Sequence, residues 1–291
     1  MKKVIRVLAV VVVVCICDIM IGFIGDWYIN SLSNYSFLRA QICNVVLNKE
    51  ADVLIIGASK ANHSYITEAF SSDSVTAFNA CIDGTDCYTA DMVLHALCSR
   101  RIPKLVVFDI ADRQVEISPD QTVEMFSYLY GKAKPIEELL EEELDPLERI
   151  KLNCNLYRYN KMPETLASFL HNKNKTAGGY VPLSGCYVGG KFKIKEKFCP
   201  DTKEVHYLID LMNYCKQNNI LLVMSVSPAC INNVAFNEWL EDICKENNVL
   251  LNNTNDLFWN NLDLFHDDMH LNHDGAVLFT EHILNYIRDV K

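Results

Sequence analysis

The apolar positions along this chain follow two patterns. Residues 7–24 form a nearly continuous apolar run, interrupted by Asp18 and Gly22. With Val4 and Ile5 included, it is just long enough to cross a bilayer as a helix. From residue 51 onward, short apolar runs alternate with stretches whose apolar positions recur at helical spacing. Residues 53–56, 74–79, 105–110, 220–226 and 249–251 read as strands, and residues 61–70, 87–99, 203–218, 235–247 and about 273–289 as helices. In the helix over 87–99, Met92, Val93, Ala96 and Leu97 mark the inner face. Strands separated by helical patterns mean βαβ units and a parallel sheet covered on both faces, a three-layer α/β/α sandwich. Such sheets bind ligands at the carboxyl ends of their strands. Ser59, Gly84, Asp112 and Ser227 each fall just after a strand.

Residues 115–200 break the alternation. Their first half holds an acidic helical stretch over 136–150, read as a solvated face. The second half holds Gly178-Gly179 and Gly189-Gly190-Lys191, read as turns. Neither pair opens a helix after a strand, so a phosphate-binding loop is disfavoured. This insertion is expected to cap the active-site edge and shape the substrate pocket. The linear division is then an anchor at 1–25, a juxtamembrane helix at 26–50, and an α/β domain at 51–291 carrying an insertion at about 115–200.

Composition changes the picture at three points. Half of the 291 residues are hydrophobic and 22% are charged, so a packed core is expected. A formal net charge of -10 excludes a nucleic-acid partner, whose phosphates call for a basic surface. Lys2, Lys3 and Arg6 ahead of the apolar run, and Asp26 after it, orient the helix with its N-terminus in the cytoplasm and the domain outside. Asp18 costs about 2.5–3.5 kcal/mol at the middle of a membrane, but it lies past the centre of the run. A cleaved signal peptide is the rival reading. No small-x-small site follows the run, and Val14 and Ile16, ahead of Cys15 and Cys17, are too bulky for a lipoprotein signal. The twelve cysteines show no C-x-x-C pair. They read mostly as small buried hydrophobes, which fits a poorly oxidising exterior.

The candidate chemistry lies at the two ends of the α/β domain. Near the C-terminus, Phe265-His266-Asp267-Asp268-Met269-His270-Leu271-Asn272 places a carboxylate three residues before a histidine, ahead of an amphipathic helix. That spacing suits a histidine base whose second ring nitrogen is held by its own neighbour. Far upstream, the strand 53–56 ends in Gly57-Ala58-Ser59-Lys60. A serine on a strand-to-helix turn projects off the sheet edge and offers backbone N–H groups to a developing oxyanion. Each signal has an ordinary alternative: Ser59 as a helix N-cap, and His270 as a surface histidine. A zinc site from His266, Asp267, His270 and His273 is chemically conceivable, but all four share one loop. Asn272 and Asp274 read as part of a capped helix start.

Together these residues resemble the SGNH, or GDSL-like, hydrolase superfamily, and more closely its membrane-anchored bacterial branch, which moves acyl groups on cell-envelope polysaccharides. The nucleophile block Gly-x-Ser is matched by Gly57-Ala58-Ser59, and the block Asn-x-x-x-x-Gly by Asn79-Ala80-Cys81-Ile82-Asp83-Gly84. The block Asp-x-x-His-x-Asn is matched by Asp267-Asp268-Met269-His270-Leu271-Asn272. The resemblance covers residues 50–112 and 203–290. It implies an SGNH (flavodoxin-like) fold and a catalytic Ser59, His270 and Asp267. Its oxyanion donors would be Ser59 and Gly84, with Asn79 or Asp112 as further candidates. The chain departs from the family where Asp112 stands in place of an oxyanion-binding asparagine. A carboxylate there would repel an oxyanion, and one lost donor costs about 2.7–4 kcal/mol of barrier.

The expected function is a serine-dependent esterase or acyltransferase acting through an acyl-serine. Its substrate would be an acylated glycan or small ester. The expected partners are the membrane and an acyl-transfer membrane protein, and no cofactor or metal is implied. The alternative from another class is a catalytically silent scaffold that binds glycan or such a partner, and Asp112 is the feature favouring it.

Overall fold

The computed structural model describes residues 2–31, 46–47, 49–116, 126–160 and 178–290. It forms two compact units, one of Met1–Asn48 with Val123–Lys175 and one of Lys49–Thr122 with Thr176–Lys291.

The second unit is an α/β sandwich. Its five-stranded sheet comprises β1 (Val53–Gly57), β2 (Ala77–Asn79), β3 (Leu105–Asp109), β5 (Leu221–Val226) and β7 (Leu250–Asn253). The order is β2-β1-β3-β5-β7 and every pairing is parallel. β1 and β3 are buried along their whole length because helices cover both faces, which is why they read as apolar runs apart from Asp109 at the end of β3. The helices of this unit are α2 (Ser59–Ser64), α3 (Thr67–Phe70), α4 (Cys87–Cys98), α5 (Asp112–Glu116), α9 (Thr202–Gln217), α10 (Val234–Asn247) and α11 (His273–Asp289). Four begin where the sequence supplies a cap. Asp86, Asp201, Asn233 and Asn272 each accept from a first-turn backbone N–H of α4, α9, α10 and α11. One core cluster joins Ile55, Val107 and Val223 of the sheet to Tyr65, Phe265, Leu271, Phe279 and Ile283, so α11 and the loop before it are packed onto the sheet end.

Several local expectations change. The helix expected over 61–70 is two short helices, because Tyr65 and Ile66 are extended between them. A separate two-stranded parallel sheet pairs β4 (Lys193–Lys195) with β6 (Ile231–Asn233). Those segments are three residues long and mostly polar, so they carry no apolar alternation to detect.

The first unit holds α1 (Lys2–Ser31), a 3-10 turn at Ser127–Leu129, α6 (Lys134–Glu143), α7 (Pro146–Leu152) and α8 (Asn155–Arg158). α1 contains a stretch, Lys2–Tyr28, whose most apolar 18 residues have a mean hydropathy of 3.0, long and apolar enough to cross a membrane. The acidic stretch is α6 and part of α7 rather than one helix. Asp145 caps α7, accepting from the Leu147 and Glu148 amides, and Pro146 takes its first position. The division is also not linear. Residues 123–175 group with α1, and residues 176–200 group with the sheet. The juxtamembrane helix expected at 26–50 coincides with the end of α1 as far as Ser31. Most of the rest of it, Cys43 included, lies outside the described residues.

Candidate active site

The site is built at the carboxyl end of β1. The strand leaves the sheet through Gly57, whose φ of 147° favours glycine and whose missing Cβ would press on the Asp109 carbonyl of β3. Ala58 caps α2 without a side-chain bond, and Ser59 is the first helical residue. The Ser59 side chain is therefore not the helix cap.

Its hydroxyl lies 2.9 Å from His270 Nε2. The His270 ring is held from its other side, where Nδ1 sits 2.9 Å from both Asp267 oxygens. Asp267 is itself fixed, because Oδ1 accepts from the backbone N–H of Met269 at 2.8 Å and of His270 at 2.9 Å. Partial burial pushes the Asp267 carboxyl up, but these hydrogen bonds outweigh it and hold the group below the usual carboxylate range. An ionised Asp267 accepts a hydrogen bond from Nδ1–H, which leaves the Nε2 lone pair facing the serine. The loop reaches this position through backbone pairing. His266 N–H donates to the His270 carbonyl, and Phe265 bridges Leu271.

Ser59 and His270 line a cleft of about 340 Å³ together with Ala58, Gly84, Thr85 and Met269. Gly84 turns at φ 72° beside open space. Its turn is tied to α2 by Asn62, which donates to Asp83 at 2.9 Å.

Two of the sequence's further oxyanion candidates are engaged elsewhere. Asn79 is fully buried, donating to the Ala61 carbonyl at 3.0 Å and accepting from Cys81 N–H at 3.1 Å, and it is not among the cleft-lining residues. Asp112 turns from the cleft and accepts from Lys195 Nζ and Asn233 Nδ2, both at 2.7 Å. Burial pushes its carboxyl up and those partners pull it down further, for a net depression. The histidines of the conceivable zinc site do not converge. His266 Nδ1 faces the Ser184 carbonyl and His273 Nδ1 the Tyr180 hydroxyl. Among the described residues no group of three or more histidine, cysteine or acidic side chains has metal-site geometry.

The structure adds two residues to the site. His63 stands one helical turn after Ser59, and its ring meets that of His270 edge-on, at 89° and 5.4 Å between centroids. Its Nδ1 lies 2.7 Å from the Val181 carbonyl, and burial outweighs that contact to push its pKa down. The i,i+4 spacing from Ser59 was the available signal. Lys60 is buried beneath the cleft and donates to the Ser227 carbonyl at 2.8 Å. Burial pushes its ammonium down against the opposing charges of Asp109 and Asp112. Burial of a lysine beside the serine leaves no sequence signal.

No protein-family model matches the chain, and no curated protein sequence is similar to it. Solved structures with a distant likeness include a psychrotrophic esterase, EstA, from Pseudoalteromonas sp. It is 13% identical, covers 82% of this chain and 97% of its own, and has a TM-score of 0.43. Another is a protein described as an acylhydrolase, from Bacteroides fragilis. It is 12% identical, covers 89% of this chain and 97% of its own, and has a TM-score of 0.45. A likeness this distant carries no chemistry across, so the function rests on the geometry of the cleft.

Proposed function

We propose that the α/β unit is a serine-dependent esterase or acyltransferase of the SGNH type. The observation that carries this reading is the continuous line of contacts from Ser59 Oγ through the His270 ring to Asp267, each 2.9 Å long. Ser59 Oγ attacks the ester carbonyl carbon as its proton passes to His270 Nε2. The charge that develops on the carbonyl oxygen is met by the backbone N–H groups of Ser59 and Gly84. Collapse breaks the bond to the alcohol oxygen, which takes the proton from His270, and leaves acyl-Ser59. Water or an acceptor hydroxyl then gives its proton to the same nitrogen and attacks the acyl carbon, and the acyl–Oγ bond breaks as His270 returns that proton to Ser59 Oγ. Asp267 fixes the tautomer throughout and stabilises the transient imidazolium.

Asp112 is held by Lys195 and Asn233, so its charge is turned from the oxyanion position, which favours an active enzyme over a silent scaffold. The substrate class we propose is an acylated glycan of the cell envelope, reached by a domain held outside the membrane on α1 with its N-terminus in the cytoplasm. The test is fluorophosphonate labelling and aryl-acetate hydrolysis by the full chain in detergent. Labelling that disappears in both Ser59→Ala and His270→Ala is the expected result. A well-folded wild type that neither labels nor hydrolyses would overturn the assignment.

A further inference from the structure

The apolar helix α1 carries an aspartate, and the first unit is organised around it. Asp18 accepts from Cys154 Sγ at 2.9 Å, from Asn155 Nδ2 at 3.0 Å and from the Leu156 backbone N–H at 2.8 Å. One turn further along α1, Gly22 makes room for Asn155, whose side chain would lie 2.8 Å from a Cβ there. Gly25 makes room for the Tyr159 ring in the same way. Another turn on, Asp26 pairs with Lys132 and with the Tyr159 hydroxyl. Residues 154–159 thus run alongside α1 from Asp18 to Asp26 as a polar clasp.

The clasp limits how much of α1 is left to cross a membrane. Residues 4–17 rise about 21 Å at 1.5 Å per residue, whereas the hydrocarbon core is about 30 Å thick. If Lys3 and Arg6 stay at the cytoplasmic face, Asp18 lies about 9 Å inside the opposite boundary and Asp26 just beyond it. The clasp would then have to enter the outer leaflet with α1. Its surface suits that place. Leu147 and Ile150, three residues apart on α7, are 59% and 69% exposed, and Leu156 on α8 is 40% exposed. The charges among them are mostly paired: Lys151 with Glu148, Glu148 also with Tyr157, and Arg149 with the Leu144 and Glu141 carbonyls. Helices of this kind settle about 5–10 Å into the headgroup and acyl boundary.

We infer that α7 and α8 are a membrane-seated clasp, with Leu147, Ile150 and Leu156 in contact with outer-leaflet acyl chains and Asp18 as the polar anchor that holds them there. Asp18 then marks the docking point of the inserted segment instead of a defect in the span.

The inference rests on α1 spanning a bilayer, so the experiment reads both. The full chain is reconstituted at low density into palmitoyl-oleoyl phosphatidylcholine vesicles, with Ile150→Trp or Val188→Trp added to the native tryptophans. Val188, 91% exposed on the other unit, is the aqueous reference. In vesicles brominated in the upper part of the acyl chains, the emission added by Ile150→Trp should be quenched and that added by Val188→Trp should not. Adding Asp18→Leu, which lengthens the apolar run but removes the acceptor, should reduce the quenching at position 150. Vesicle-bound protein whose Ile150→Trp emission is unquenched, or shielded in proportion to protein density as by a second copy, overturns the seating. Unchanged quenching in the Asp18→Leu background overturns the clasp as its cause. Failure of the wild type to float with vesicles overturns the anchor itself and this inference with it.

Discussion

Replacing Asp267 by asparagine isolates the orienting carboxylate from the rest of the site. Both Asp267 oxygens lie 2.9 Å from His270 Nδ1, and Oδ1 also serves the Met269 and His270 amides. An asparagine keeps the shape, but either orientation of its amide sets an NH2 group against Nδ1. The imidazole can relieve this clash by moving its proton to Nε2, which turns the base into a donor facing Ser59. In a buried serine triad the equivalent change lowers kcat about 10⁴-fold. Here the Asp267 side chain is 42% exposed, so water replaces part of the lost stabilisation. A fall of about 10²–10³ in kcat/KM follows, or roughly 3–4 kcal/mol of transition-state stabilisation. The assay is aryl-acetate hydrolysis with the fluorophosphonate labelling rate beside it, and unfolding curves to verify the fold. The labelling rate should fall with kcat/KM, because both need the same base. A loss of less than about tenfold in a folded variant would refute the orienting role of Asp267.

Other outcomes follow from the same geometry. Glu204 is fully buried and accepts from the Tyr88 amide. Burial, reinforced by Asp86, pushes its carboxyl up to about 8. Its folded pKa exceeds the unfolded value, so stability should fall as pH rises from about 4.3 to 8. Glu204→Gln should therefore be more stable than wild type at pH 8 by up to a few kcal/mol, and the gap should close near pH 4 in urea titrations. Identical pH profiles would contradict this. Gly57→Ala puts a methyl group on the Asp109 carbonyl at a φ of 147°, and should cost about 2–4 kcal/mol in denaturant unfolding. A cost under about 0.5 kcal/mol would mean the turn relaxes. Asp112→Asn should leave kcat/KM within about threefold, because the side chain is held by Lys195 and Asn233 away from the cleft. A large gain in rate would show that its charge does reach the oxyanion.

The chain by itself determined the layers and the order of the sheet's chemistry. Strands buried on both faces are largely apolar, so β1, β3 and β5 were legible within a residue or two, and Asn272 marked a helix start because capping is local. The Ser59, Asp267 and His270 positions could be read for the same reason: their types and spacing relate to turns a few residues long. Tertiary structure decided what depends on approach between distant segments. The polar three-residue strands β4 and β6 exist because each pairs with the other. Asp112 became a partner of Lys195 and Asn233, far along the chain, rather than a group facing the substrate. His63 reached the His270 ring across the fold. The inserted segment could not be placed from sequence either, since its allegiance to α1 depends on Asp18 meeting Cys154, Asn155 and Leu156. Local geometry is written in neighbouring residues, whereas the partner of a buried charge is set by whatever the folded chain brings to it.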